Sequence, residues 1–320
     1  MEKSTGDDGE APSTPDTISV DDGIYLSPAG RARMEGDFAR LIPDNHDAKR
    51  AFSDLITNIK TNPKVERSWR RLMHFNEHQE RLVAEMEISD TETSDTEDQP
   101  LIWTGYYRFN LTSELLPQQF GRYGWILGGG RDELRNDGVD IMLTSTKERH
   151  RVRGRHARLA LNESSNALML IVEPKKIVRL NGEPIHDASR VIKAPRTHLQ
   201  LGILQYRFEY TGLSLVRYHD QLERLRNSNI LKGTVHKALE ATPTEKQISL
   251  KDYIIHPPFA YGSYGVISGC VRATDGMPCA AKRVARTDRS QSEIDAEIAM
   301  FRAVGGHVSV KVCGESAVPG

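Results

Sequence analysis

Short apolar runs separated by turn residues fill the middle of the chain, between Trp103 and Leu215. The runs are rich in β-branched and aromatic residues, and no stretch of helical spacing interrupts them, which is typical of antiparallel strands. In chain order they read YYRFNL, YGWIL, DIML, ARLAL, ALMLIV, IVRL, LQLGI and YRFEYTGLSLV. The pattern therefore predicts an antiparallel β-sandwich over residues 101–216.

The first 100 residues follow another pattern. Residues 1–40 are small, polar and acidic, and they have too little apolar surface to offset the entropy of ordering. Between Ala48 and Met86, apolar residues recur at helical spacing and predict one or two helices. Residues 87–98 are mostly acids and hydroxyl residues and predict a solvated linker. We expect residues 1–100 to be largely disordered apart from those helices.

Beyond the sandwich, the apolar spacing becomes helical and then β-rich again. We expect a helical linker over residues 217–249 and an α+β unit over residues 250–304. That unit begins with strands, has a hairpin signal at Asp275–Gly276 and ends in a helix near Phe301. An irregular tail is expected over residues 305–320. The predicted fold class is mainly β in the centre, with a C-terminal α+β unit.

Length and charge limit the classes of function. At 320 residues the chain can hold two modules with tails. The net charge of −1 gives no whole-molecule field for nucleic acid or an anionic membrane. Three cysteines are too few for a disulfide framework, and no apolar run is long enough to span a membrane. We therefore expect a soluble, intracellular protein with no membrane partner and no metal site.

Four motifs in the sandwich follow one another in a characteristic order. A glycine run ending in Arg131 precedes VDIMLTS, then RGRHARLAL, then VRLNGEPI. This order resembles the forkhead-associated domain over residues 120–213, about a third of the chain. The resemblance implies a β-sandwich whose loops capture a phosphorylated peptide of the phosphothreonine type. The expected partner is a phosphorylated protein.

The resemblance assigns roles to particular residues. Arg131 matches the family's phosphate-contacting arginine, and His156 matches a histidine that ties the binding loops together. Asn181 opens a tight Asn–Gly turn. Arg153 stands where the family has serine, and Lys176 stands where it has asparagine, so charge is expected to replace hydrogen-bond geometry. The predicted phosphopeptide-binding residues are Arg131, Arg153, His156, Lys176 and Asn181.

Two details of the motifs leave alternatives open. Val178 stands where the family has threonine and cannot hydrogen-bond to a ligand, which puts the phosphothreonine preference in question. A buried, satisfied histidine is the simpler interpretation of His156. The chain also has a basic run that could serve a scaffold for unmodified protein or nucleic acid: Lys147, Arg149, Arg151, Arg153, Arg155 and Arg158. No aromatic residue is interleaved with that run, so we do not expect nucleic acid as a partner.

The C-terminal unit carries a second set of motifs. The stretch YIIHPPFAYGSYGVISGCVRATDGMPCAAKRV resembles the nucleotide-binding start of a protein kinase, with Ala260 in place of the first loop glycine. The resemblance implies ATP as a ligand and assigns Lys282 to its α and β phosphates. Glu297, or alternatively Glu293, is the carboxylate expected to pair with Lys282. The predicted nucleotide-binding residues are Gly262, Gly265, Ile267, Ala280, Lys282 and Glu297.

The motifs that would complete a kinase do not follow. After Val304 the sequence contains no H-R-D-type catalytic loop and no D-F-G motif, so no catalytic residue and no magnesium ligand is predicted. We expect an incomplete Ser/Thr kinase domain that is inactive in this chain. Residual ATP binding is the alternative function. A forkhead-associated domain before a kinase domain resembles the checkpoint kinases. That resemblance implies phosphorylation-dependent signalling in the nucleus, and the expected localisation is the nucleus or cytoplasm.

Overall fold

The computed structural model describes most of the chain beyond residue 35. The described residues are 36–61, 68–81, 101–130, 138–232, 239–240, 246–262, 265–284 and 291–304. The predictions for residues 1–35, for the acidic linker, for Arg131 and for the tail after Val304 lie outside them. No helix in the described part is both long enough and apolar enough to cross a membrane.

Twelve strands form two facing sheets. Their bounds are β1 Asp37–Pro43, β2 Met73–Arg81, β3 Leu101–Asn110, β4 Trp125–Gly129, β5 Ile141–Thr144, β6 Arg155–Leu161, β7 Leu168–Val172, β8 Ile177–Leu180, β9 Glu183–His186, β10 Ser189–Val191, β11 Arg196–Leu201 and β12 Leu204–Tyr210. The seven-stranded sheet has the order β2-β3-β1-β12-β11-β8-β9, and the five-stranded sheet has the order β10-β7-β6-β4-β5. The predicted β-rich centre is confirmed. One pair, β4 with β5, is parallel rather than antiparallel.

Aromatic side chains fill the space between the two sheets. Trp125 of β4 lies with its ring centroid 5.2 Å from that of Phe109 on β3 and 5.8 Å from that of Phe38 on β1. The hydroxyl of Tyr107 crosses the core and donates a hydrogen bond to the Met142 carbonyl at 2.8 Å. These contacts join the two sheets into one core, because apolar burial and ring packing act across the gap between them.

Within the described residues, four helices accompany the sandwich: α1 His46–Thr61, α2 Phe120–Tyr123, α3 Lys147–His150 and α4 Leu215–Asn227. Helix α1 confirms the first predicted helix and packs against strands of both sheets. That single helix agrees with the prediction of one or two, and beyond it a 3₁₀ turn over Ser68–Leu72 leads into β2, which pairs with β3. Pairing with β3 supplies the backbone hydrogen bonds of β2, and the helical spacing of apolar residues does not predict that pairing.

The structure differs from the sequence prediction at both ends of the sandwich. Strand β1 lies in the segment expected to be disordered, yet it sits between β3 and β12 in the seven-stranded sheet. Its Asp37 is buried and pairs with Arg108 at 2.7 Å, which offsets the burial of the carboxylate. Helix α4 lies in the expected linker, but Tyr218 and Leu222 are fully buried in the sandwich core. The sandwich therefore extends in both directions beyond residues 101–216.

The C-terminal unit is a four-stranded antiparallel sheet followed by a helix. The elements are β13 Ile248–Leu250, β14 Tyr253–Gly262, β15 Gly265–Arg272, β16 Pro278–Arg283 and α5 Gln291–Val304, and the strands lie in chain order. The predicted hairpins are confirmed. The turn between β15 and β16 has Gly276 at a φ of 72°, and Asp275 accepts a hydrogen bond from the Met277 backbone at 3.1 Å.

That turn docks on the five-stranded sheet of the sandwich. Val191 of β10 donates its backbone N–H to the Ala273 carbonyl at 2.8 Å, and the Ser189 hydroxyl donates to the Thr274 carbonyl at 2.7 Å. The interface also buries a set of apolar side chains from both partners: Ala167, Met169 and Val191 from the sandwich, with Leu239, Ile254 and Val271. Buried apolar area and paired backbone groups hold the C-terminal sheet on the sandwich.

We predict that Val191→Asp loosens this interface, because the new carboxylate would be buried without a partner. The free energy of unfolding should fall by about 2–4 kcal/mol, measured by denaturant unfolding of the full chain. The same substitution at Val216, an exposed position on α4, is the matched control and should change stability by less than about 0.5 kcal/mol. Equal unfolding curves for Val191→Asp and the unaltered protein would contradict the interface.

Candidate functional site

Three loops of the sandwich meet at one end. The end of β4 contacts the loop before β6, where Gly129 donates its N–H to the Gly154 carbonyl at 3.1 Å. Gly130 donates to the carbonyl of Thr144, the last residue of β5, at 2.8 Å. The loop between β7 and β8 joins them through His156. This end of the sandwich, which we call the loop end, is formed by residues 129–130, 144–156 and 173–177.

Glycines make the approach of these loops possible. A Cβ atom on Gly128 would lie 1.5 Å from the Gly154 carbonyl oxygen, and one on Gly129 would lie 2.4 Å from the Val152 carbonyl oxygen. Both distances are far below a tolerable contact, so any side chain would push the loops apart. The glycine run noticed in the sequence thus has a steric reason, and it carries the chain to the position of Arg131.

His156 ties two of the loops together. Its Nε2 atom lies 3.1 Å from the carbonyl oxygen of Ile177. Since a carbonyl can only accept, Nε2 carries the proton and donates. Burial lowers the pKa of His156, and Lys176 lowers it further against the opposing effect of the Ile177 bond. The lowered pKa favours the neutral ring, and the bond to Ile177 fixes its tautomer.

Cationic side chains surround the loop end. Lys147, at the start of α3, has its Cγ atom 3.0 Å from where a Cβ on Gly129 would be. Arg153 is exposed in the loop before β6, and Lys176 is close enough to His156 to affect its pKa. Arg131 follows Gly130 directly in sequence, but its side chain lies outside the described residues. Lys147 is a site candidate that the sequence placed only in the general basic run.

The structure shows the surroundings of two motif residues, Asn181 and Val178. Asn181 occupies the predicted turn with a φ of 50°, and its Oδ1 accepts a hydrogen bond from the His198 backbone at 2.8 Å. That side chain fastens the turn to β11. Val178 is fully buried in the core, so it does not face the loop end. The neighbouring Ile177, whose side chain also has no hydrogen-bonding group, is the exposed residue of that strand.

The loop end contains a second histidine, His150, that the sequence motifs did not predict. The Nδ1 of His150 lies 2.6 Å from the Thr144 hydroxyl and 3.1 Å from the Thr146 hydroxyl. His150 is buried, and this burial lowers its pKa, with a further lowering by Arg149. The cluster holds the end of β5 beside Gly130. A histidine four and six residues after two threonines is the pattern that could have shown it.

The C-terminal sheet contains the predicted lysine–carboxylate pair. The Lys282 ammonium lies 2.6 Å and 2.8 Å from the two carboxylate oxygens of Glu297 on α5, so Glu297 rather than Glu293 is the partner. Ile267 lies opposite Lys282 in the β15–β16 ladder. Ala280 precedes Lys282 by two residues on β16 and so shares its face of the sheet.

Gly262 and Gly265 pair where the β14–β15 hairpin closes, and the two residues between them lie outside the described part. Gly265 has a φ of 129°, and a Cβ there would lie 2.4 Å from the Arg283 carbonyl oxygen. Only glycine fits that position without moving β16. The nucleotide-binding roles of these residues stay predictions.

The comparisons with known proteins give little more. No family model matches the chain, and no curated protein matches it. One solved structure that does match is described as "Crystal structure of Rad53 1-466 in complex with AMP-PNP". The two share 15% sequence identity with a TM-score of 0.32, over 55% of this chain and 38% of that one. The match thus spans well under half of the solved chain, and a likeness this remote carries no argument about function.

We predict that acid destabilises the protein through its buried and half-buried histidines. Burial lowers the pKa of five of them from 6.5: His74, His150, His156, His219 and His256. The unfolded chain binds these protons near pH 6.5 and the folded chain only at lower pH, so the free energy of unfolding should fall as pH drops below about 6.5. Denaturant unfolding between pH 8 and pH 5 measures this dependence.

The variant His156→Gln serves as the comparison, because its amide can still donate to Ile177 but does not titrate in this range. Its stability should fall less steeply with acid than that of the unaltered protein. An equally steep profile would show that His156 does not contribute.

Proposed function

We propose that the loop end of the sandwich binds a phosphorylated peptide, in the manner that the resemblance to forkhead-associated domains implies. The observation that carries this proposal is the convergence of cations on a glycine-tied loop end. Lys147 lies against Gly129, Lys176 lies beside His156, and Arg131 follows Gly130 in the chain. The strands behind these loops are a rigid scaffold, which is where binding loops are usually placed.

A phosphorylated side chain suits this arrangement. It carries nearly two negative charges at neutral pH and presents three acceptor oxygens. In the proposal, the Arg131 guanidinium donates two parallel hydrogen bonds, and Lys147 and Lys176 add ammonium charge from the sides. Neutral His156 keeps the loops together and does not compete for the ligand. The ligand class is a phosphothreonine-type peptide of a partner protein in the nucleus or cytoplasm.

A titration of the full chain with matched phosphorylated and unphosphorylated threonine peptides tests the proposal. The phosphorylated peptide should bind more tightly, and Arg131→Gln or Lys147→Gln should weaken it about tenfold or more, the cost of losing a hydrogen bond to a charged group. Arg217→Gln, at an exposed position on α4, is the control and should bind normally. Equal affinity for both peptides, with strong salt dependence, would instead favour a scaffold for unmodified protein or nucleic acid.

A second function, nucleotide binding by the C-terminal sheet, is favoured by the Lys282–Glu297 ion pair. In kinase lobes such a pair positions the lysine for the nucleotide phosphates. Gly262 and Gly265 would leave the β14–β15 loop backbone accessible to those phosphates, and Ile267 with Ala280 would contact the base. We propose binding of ATP by this sheet, within a checkpoint-kinase-like signalling protein.

We expect millimolar MgATP to raise the melting temperature of the full chain, by about 2–4 °C for each kcal/mol of linked binding energy. Lys282→Met should abolish the rise, and Glu297→Gln should reduce it because the lysine loses its orienting partner. Lys49→Met, at an exposed position on α1, is the matched control. A shift that persists in Lys282→Met would place the nucleotide elsewhere.

A further inference from the structure

Two cysteines face each other across the β15–β16 hairpin. Cys270 of β15 and Cys279 of β16 are direct partners in the antiparallel ladder. Directly opposed residues extend from the same face of a sheet, so the two thiols are neighbours. Cys270 is buried, with 3% of its surface exposed, whereas Cys279 is exposed. The hairpin therefore holds one shielded thiol beside one accessible thiol.

The ladder sets the distance between these two residues. Near the turn, Arg272 donates its backbone N–H to the carbonyl of Met277, its opposite residue in the same register, at 2.9 Å. Hydrogen-bonded pairs alternate along an antiparallel ladder, so Cys270 and Cys279, two steps further, form a hydrogen-bonded pair with Cα atoms about 5.5 Å apart. Disulfides span Cα distances of about 4.4–6.8 Å. A disulfide can therefore form here without a change of register.

A disulfide at this position would be strained. The Cβ atoms of a hydrogen-bonded pair lie about 5.5 Å apart. A disulfide requires a Cβ distance of about 3.5–4.5 Å, so the two strands must be drawn together locally. Strained or exposed disulfides are reduced more readily than structural ones. The geometry thus favours a bond that forms and breaks over a permanent cross-link.

We propose that Cys270 and Cys279 are a reversible oxidation site, at which hydrogen peroxide closes an intrachain disulfide across the hairpin. The accessible Cys279 thiolate attacks the peroxide, whose O–O bond breaks, and a sulfenic acid forms with release of water. The Cys270 thiol attacks the oxidised sulfur, the S–S bond forms, the S–O bond breaks and a second water leaves. The two thiols lose two electrons, and the peroxide gains them. Two glutathione thiols reverse the change and leave as glutathione disulfide.

The proposed bond lies between two features of the C-terminal sheet. The turn that follows β15 docks on the sandwich through the carbonyls of Ala273 and Thr274. On β16, Lys282 follows Cys279 by three residues. Drawing the strands together would therefore act on the hairpin that carries both the docked turn and the ion-paired lysine. The inference is independent of the proposed functions, because it rests on the strand pairing alone.

Mass spectrometry of the full chain tests the site. The protein is treated with hydrogen peroxide, the excess is removed with catalase, and the remaining thiols are blocked with iodoacetamide. The monomer band of a non-reducing gel is then digested with trypsin, which places Cys270, Cys279 and Cys313 on three different peptides. The peptides of Cys270 and Cys279 should be recovered as one linked species that lacks two hydrogens. Millimolar reduced glutathione, added before blocking, should restore both thiols.

Two variants separate this site from other oxidation chemistry. In Cys279→Ser, Cys270 should remain a thiol, because burial shields it from the peroxide. Cys313→Ser is the control and should form the same linked species. Circular dichroism of each variant confirms that the fold is retained.

Four outcomes would overturn the proposal. They are three thiols that all remain unoxidised, a disulfide that joins Cys313 or a second chain instead, oxidation of Cys279 that ends at the sulfinic acid, and a linked species that glutathione does not release.

Discussion

The loop end depends on a backbone contact that only glycine permits. Gly128 and Gly129 pass so close to the loop before β6 that a single Cβ would collide with the Gly154 or Val152 carbonyl. This contact, sealed by the Gly129–Gly154 hydrogen bond, fixes the end of β4 before the chain reaches Arg131. Loops held in this way lose little further entropy when a ligand binds.

How far the sequence predicted the structure depended on whether the determining contacts were local. Strands β3 to β8, β11 and β12 follow from the eight short β-rich runs, and the Asn–Gly turn follows from a short motif, whereas the short strands β9 and β10 were not predicted. Strand β1 was not predicted either, because its stability comes from neighbours on both sides and from Arg108, which compensates for buried Asp37. The sequence did not predict that Lys147 lies beside Gly129 or that Arg155 lies near Tyr123, because these elements meet only in the folded chain.

The docking of the C-terminal sheet gives the two candidate sites a common framework. Met169 of β7 packs in the interface with that sheet, and the same strand leads through Val172 into the loop that His156 ties down. A kinase-like motif predicts the hairpins of the sheet but not the surface on which they rest. Strand β7 thus runs from this interface to the loop end, and communication between the two candidate sites would also require two alternative arrangements of that strand.

The two candidate sites differ in how much of their positive charge is already used. Lys282 has three ammonium protons, and two of them face the oxygens of Glu297, so a nucleotide phosphate would have to share the lysine with that carboxylate. The guanidiniums of Arg122, Arg155 and Arg158 lie around the Tyr123 ring. Among the described residues, Glu173 is the carboxylate that forms an ion pair with one of them, Arg158. Since the net charge is only −1, anion recognition depends on such local excess. An anion should therefore gain more electrostatic energy at the sandwich than at the C-terminal sheet.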